Sequence, residues 1–87
     1  MTETTRTEHA HVADWLAERI GVYIGVPAGD IDRGALLSDL GLDSVYVLTL
    51  CGDVEDEYGL MVEPTLAWDH PTVDEMAEYI ESERAAA

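Results

Sequence analysis

At 87 residues the chain suffices for one small domain with a modest core, a size at which a binding or carrier module is easier to build than a catalytic cleft. A hydrophobic fraction of 47% argues for a folded core rather than disorder. There are 19 Asp and Glu against 4 Arg and no Lys, a formal net charge of -15. Such a surface repels phosphate backbones and anionic lipid, which argues against nucleic acid and membrane and towards basic protein partners, or towards a role in solubility alone.

Residues 1–7 read as a frayed leader, with Thr5-Arg6-Thr7-Glu8 as a capping box opening the first helix. Val12, Leu16, Ile20 and Tyr23 then make one apolar helical stripe that ends near Gly25 and Pro27. Residues 25–43 form a long structured connection, in which Ile31, Leu36, Leu37 and Leu40 need burial and a short helical turn is expected around Leu36 to Leu40. A second helix is expected from Ser44 to Tyr58, stopped by Gly59, with Val47, Cys51, Val54 and Tyr58 on its buried face and Leu48 and Leu50 widening that face. Its exposed side is acidic, through Asp53, Glu55, Asp56 and Glu57. Gly52 inside this helix either admits a close approach or is simply tolerated.

Thr65 to Trp68 reads as a single short turn, broken by Asp69-His70-Pro71. Thr72 and Glu75 form a capping box for a last helix that buries Val73, Met76, Ala77 and Ile80, and residues 82–87 fray. The fold class expected is all-α: a single domain over 1–87, built as a small four-helix bundle of three main helices and one short one. Cys51, the only cysteine, allows no intrachain disulfide and is expected in the core. Met1 to Ala10 carry no apolar run and nothing reaches transmembrane length, so a cytoplasmic protein without membrane insertion is expected.

Metal sites fail on spacing. An EF-hand loop wants Gly at its sixth position and Glu at its twelfth. Counting from Asp30 the twelfth residue is Gly41, and counting from Asp53 it is Pro64. A hydrolase nucleophile fails as well, because Ser44 lies in Leu-Asp-Ser-Val-Tyr rather than a Gly-x-Ser-x-Gly elbow. His9, His11 and His70 are the bases available to it. A phosphate-binding loop needs a lysine that the chain lacks.

Ser44 survives as an acceptor rather than a catalyst. It stands at a helix N-terminus, where unpaired N–H groups and the positive dipole end favour a phosphate ester. From position alone, a plain N-cap at Asp43 or Ser44 is the more economical reading.

The local pattern shifts that balance. Leu37-Ser38-Asp39-Leu40-Gly41-Leu42-Asp43-Ser44 resembles the attachment motif of acyl carrier proteins. Tyr58-Gly59-Leu60 and Pro64 to Thr72, with Trp68-Asp69-His70-Pro71-Thr72, are similar to the polyketide-synthase type of carrier. The two motifs stand at the family's usual separation, and the resemblance covers roughly residues 10 to 82. It implies a right-handed four-helix bundle that catalyses nothing, with Ser44 carrying 4'-phosphopantetheine from coenzyme A and Asp43 assisting its attachment. The arm would hold acyl groups as thioesters.

The implied partners are a Mg-dependent phosphopantetheinyl transferase, an acyl-activating ligase or acyltransferase, and a ketosynthase or condensation domain, acting on a monomer. Partners would read the second helix, at Val45, Tyr46, Thr49, Gly52, Glu55 and Asp56. Tyr46 reads equally well as a solvated aromatic, and Val45, Thr49 and Gly52 depart from the family's usual residues. A pocket for an acyl chain lined by Met61, Trp68 and Met76 is weighed against ordinary packing, which is preferred. The expectation is a discrete, freestanding carrier, or a carrier domain expressed alone, serving polyketide or lipopeptide assembly. The alternatives are a peptidyl carrier and an unmodified acidic helical adaptor.

Overall fold

The computed structural model describes the backbone of residues 4–86 and the side chains of residues 12–86. Four α-helices follow in order: α1 (Thr4–Ile24), α2 (Ser44–Tyr58), α3 (Leu66–Asp69) and α4 (Val73–Ala86). A 3-10 turn, Ala28–Asp30, lies in the long connection between α1 and α2. No strand occurs among the described residues, only an isolated antiparallel bridge between Leu36 and Thr72. The all-α four-helix bundle read from the sequence is the observed architecture.

The core forms where the helical periods coincide. Val12, Leu16 and Ile20 of α1 are fully buried, and α4 buries Val73, Met76, Ala77 and Ile80. These two helices make the most extensive pairing in the bundle. From α2 come Val47, Leu50, Cys51 and Val54. Leu48 is a correction: it is 56% exposed rather than part of the buried face. One residue on from Val47, it is turned about 100° out of the seam. Helix α2 ends at Gly59, whose left-handed backbone (φ 70) turns its N–H onto the Glu55 carbonyl at 2.8 Å.

The long connection packs across the bundle through Ile31, Leu37 and Leu42. Leu36 does not follow them and stays exposed. It sits in the bridge to Thr72, where the Leu37 N–H donates to the Pro71 carbonyl at 2.8 Å. Extended backbone sends successive side chains to opposite sides, so burying Leu37 turns Leu36 outward. The helical turn expected at Leu36 to Leu40 is instead a set of tight turns, closed by Leu40 N–H to the Leu36 carbonyl and Leu42 N–H to the Leu37 carbonyl. Gly41, at φ 98, ends them before a helix can propagate. Arg33 ties this connection down at both ends: its guanidinium pairs with Asp14 of α1, and its carbonyl accepts the Asp74 N–H of α4.

The capping box at Thr72 forms, with the Glu75 N–H donating to Thr72 Oγ1 at 3.1 Å. The tails are helical where they are described, residues 4–7 within α1 and 82–86 within α4. In α4 the extension has a cause. Arg84 pairs with Glu81 at 2.9 Å, and its guanidinium lies 5.0 Å from the centre of the Tyr58 ring. The Thr5–Glu8 capping box rests on side chains that lie outside the described residues, as do residues 1–3.

Candidate functional site

Ser44 is the first residue of α2 and is exposed. Three neighbours put it there. Gly41 turns the chain, Leu42 buries its side chain and anchors the approach, and Asp43 caps the helix. The Asp43 backbone is extended, its carboxylate accepts the Tyr46 N–H at 3.0 Å, and its carbonyl accepts the Val47 N–H at 3.0 Å. The cap is therefore Asp43 and not Ser44, which leaves the serine hydroxyl free of that duty.

Beside Ser44 opens an apolar groove of about 300 Å³. Leu36, Leu37, Leu42, Val47, Trp68 and Pro71 supply its apolar walls, and Ser38, Asp43 and Ser44 its polar rim. Trp68 is 72% exposed at its edge. Here the preference for ordinary packing divides. Met76 packs in the core, as that reading has it. Trp68 borders the Ser44 groove, and Met61, 81% exposed, belongs to a separate polar pocket with Glu63, Asp69, His70 and Tyr79. The exposed Leu36 has no distinguishing mark in the sequence as a groove residue, because its position depends on the bridge to Thr72.

Of the possible bases, His70 lies in that second pocket, its ring 4.8 Å from Tyr79, and does not line the groove. The side chains of His9 and His11 lie outside the described residues. Among the described residues, Asp43 is the one carboxylate that lines the groove. The Asp30 to Gly34 stretch, tried as a calcium loop, is a turn in which the Asp32 carboxylate accepts the Gly34 N–H at 3.0 Å.

The outer face of α2 carries Val45, Thr49 and Gly52 at steps of four and three, then Glu55 and Asp56 three and four residues beyond Gly52, all exposed. The Thr49 hydroxyl donates to the Val45 carbonyl at 3.0 Å. A methyl group at Gly52 would meet nothing within 4 Å. Asp53, read as part of the acidic face, is instead half-buried against α1 and accepts from Arg19 and from the Tyr23 hydroxyl. Tyr46 leans the same way and stacks on Tyr23. Burial, reinforced by the bond to Asp53, pushes the Tyr23 phenol up to about 12. Burial likewise raises the Cys51 thiol above its usual range.

Comparison with known proteins agrees with this geometry. The phosphopantetheine attachment site family matches residues 14–80. The 6-methylsalicylic acid synthase of Penicillium patulum is 41% identical over 58 residues, which cover 67% of this chain and 3% of that protein. A phenolphthiocerol/phthiocerol polyketide synthase from Mycobacterium tuberculosis is 31% identical over 71 residues, 82% of this chain and 4% of that protein. The chain thus spans only a few per cent of the length of these curated relatives. Among solved structures, a free-standing peptidyl carrier protein from Acinetobacter baumannii superposes with a TM-score of 0.84 at 35% identity, covering 88% of this chain and 96% of that one.

The family's group is 4'-phosphopantetheine, held covalently through a phosphodiester. The residues present fit it, for an exposed serine opens the helix and a groove with apolar walls begins at that serine. With the bundle, the serine at the start of a capped helix and the match over residues 14–80 in agreement, the chain belongs to the phosphopantetheine-binding carrier family.

Proposed function

We propose that Ser44 carries the phosphopantetheine arm and that the domain presents acyl thioesters to partner enzymes of polyketide or lipopeptide assembly. One observation carries the choice of residue. The family match contains two serines, Ser38 and Ser44, and only Ser44 begins a helix. There the positive helix end favours the phosphate, while Ser38 lies in a turn of the connection. The Ser44 oxygen gives up its proton and bonds to the phosphorus that bears the pantetheine arm of coenzyme A, while the diphosphate P–O bond breaks and adenosine 3',5'-bisphosphate leaves. Asp43, whose carboxylate stands at the same helix end, assists that step. When bound, the arm supplies a thiol that holds the acyl group.

The outer face of α2 is the recognition surface in this reading. Val45 and Leu48 make its end near Ser44 apolar, while Glu55 and Asp56 make the far end acidic. A partner would therefore bring an apolar rim to the serine and a basic patch further along, in contacts that salt weakens. The partners proposed are a phosphopantetheinyl transferase, an acyl-activating ligase or acyltransferase, and a ketosynthase or condensation domain. No helix among the described residues is long and apolar enough to cross a membrane. We assign the work to the cytoplasm, where coenzyme A is at hand, and to a domain with no catalysis of its own.

The likeness to the free-standing peptidyl carrier protein supports a second reading, an aminoacyl cargo on the same arm. The polyketide reading is preferred because the curated relatives named above are polyketide-type synthases. Intact mass after incubation with coenzyme A, Mg and a broad-range transferase tests the assignment. One added phosphopantetheine group is expected on the wild type and on Ser38→Ala, and none on Ser44→Ala. Unchanged mass in a folded wild type refutes it. Subsequent loading with acyl or aminoacyl groups separates the two cargo readings.

A further inference from the structure

We propose that Arg19, Tyr23 and Asp53 buttress the Tyr46 ring as a fixed part of the partner surface beside Ser44. Tyr46 is then a residue the transferase reads, and Asp53 is a positioning residue rather than part of the acidic face. The inference rests on Ser44 being the modified serine.

Tyr46 lies two residues beyond Ser44 and is 36% exposed. Its ring is parallel to that of Tyr23, with centroids 5.5 Å apart and planes 1° from parallel. Tyr23 is itself held. Its hydroxyl donates to Asp53 Oδ2, and Arg19 donates to the same oxygen through Nε at 3.2 Å and Nη2 at 3.0 Å. The Arg19 guanidinium also lies 5.9 Å from the centre of the Tyr23 ring. The spacings make this a clamp between two helices. Tyr46 and Asp53 are seven residues apart on α2, and Arg19 and Tyr23 four apart on α1, so each pair lines one face.

The clamp has two consequences for docking. An aromatic side chain loses rotamer freedom when it binds a partner, and a ring already stacked has lost it beforehand. Asp53, for its part, is neutralised by Arg19, so this flank of α2 offers a ring where the acidic face offers charge. The transferase contact that fits it is apolar or stacking and insensitive to salt. A merely structural clamp would hold α1 to α2 without altering recognition.

Steady-state transfer of phosphopantetheine to the full chain separates these roles, at low and at high salt. Tyr46→Ala is expected to raise KM about fivefold at both salt concentrations with kcat unchanged, the behaviour of a truncated interface anchor. Tyr46→Phe keeps the stack and should match wild type. Tyr23→Phe removes the hydroxyl that Asp53 holds and Asp53→Asn the charge that Arg19 pairs with; each loosens the support of the ring and should raise KM about twofold to threefold while circular dichroism confirms the fold. Glu55→Gln with Asp56→Asn should raise KM at low salt only. An unchanged KM in Tyr46→Ala overturns the proposal. A changed KM there with wild-type values in Tyr23→Phe and Asp53→Asn overturns the buttress. Absence of any mass gain on wild type overturns the Ser44 assignment, and this inference with it, whereas modification at Ser44 with unaltered KM values refutes this inference alone.

Discussion

The Asp43 carboxylate accepts the backbone N–H of Tyr46 at 3.0 Å, so the residue before Ser44 is the cap of the helix that Ser44 begins. Under the proposed function this one side chain bears on both stability and chemistry. It holds the first turn of α2 in place, and it stands next to the oxygen proposed to take the phosphate.

Substitution at Asp43 separates the two roles. Asp43→Ala should cost about 0.5–2 kcal/mol, the range for loss of a capping side chain. Asn caps a helix about as well as Asp, so Asp43→Asn should recover that stability. It lacks the charge, and the rate of phosphopantetheine transfer should stay reduced. Chemical denaturation together with the transfer assay checks both. Full recovery of rate by Asn would reduce Asp43 to a cap.

Two helical glycines should respond in opposite senses to a methyl group. Gly52 faces open space within the chain, and Gly52→Ala should stabilise by up to about 1 kcal/mol, the helix-propensity difference. Gly21 is buried near the end of α1, and a Cβ there would stand 2.4 Å from the Val26 carbonyl oxygen. That carbonyl belongs to backbone already folded back on Gly21, whose own carbonyl accepts the Gly25 and Val26 N–H groups at 2.8 and 3.1 Å. Gly21→Ala should therefore destabilise, by about 1–3 kcal/mol as overpacked sites do. Thermal unfolding of both variants beside wild type is the measurement.

Stability should also depend on alkaline pH through Tyr23. Burial first, then the bond to Asp53, raises its phenol from 10.0 to about 12. The raised value means that the fold favours the neutral hydroxyl. Its contribution is full below pH 10, where the unfolded chain also keeps the proton, and is lost as pH rises towards 12. Denaturant midpoints measured across that interval should fall with pH in wild type and fall less steeply in Tyr23→Phe. Tyr58, also raised by burial, leaves a residual slope in that variant.

Much of the scaffold was legible in the chain because it is local. Val12, Leu16 and Ile20, and Val73, Met76, Ala77 and Ile80, recur at helical spacing, and each of these residues is buried. The bounds of α2 follow from a cap, an apolar run and a glycine, and the helix observed is Ser44–Tyr58. Three misplaced side chains share one cause. Leu36, Leu48 and Asp53 each carry a side chain whose usual place is clear from its chemistry, and each is placed otherwise by packing against parts of the chain distant in sequence. Leu36 is turned out by pairing with Thr72, Leu48 by the helical phase that the core selects, and Asp53 inward by Arg19, 34 residues earlier.

Ser44 follows the same division. A serine that begins a helix after Gly41, Leu42 and Asp43 can be read from the chain alone, and the second motif around Asp69-His70-Pro71-Thr72 points to the family it resembles. Capping and helical spacing act over a few residues, so a linear reading captures them. What surrounds that serine follows from the packed bundle: a groove between Leu36 and Trp68 on one side, and on another flank of α2 a Tyr46 ring held against Tyr23. Those neighbours are brought together by packing across the bundle, whose geometry depends on every helix at once rather than on any one stretch of chain.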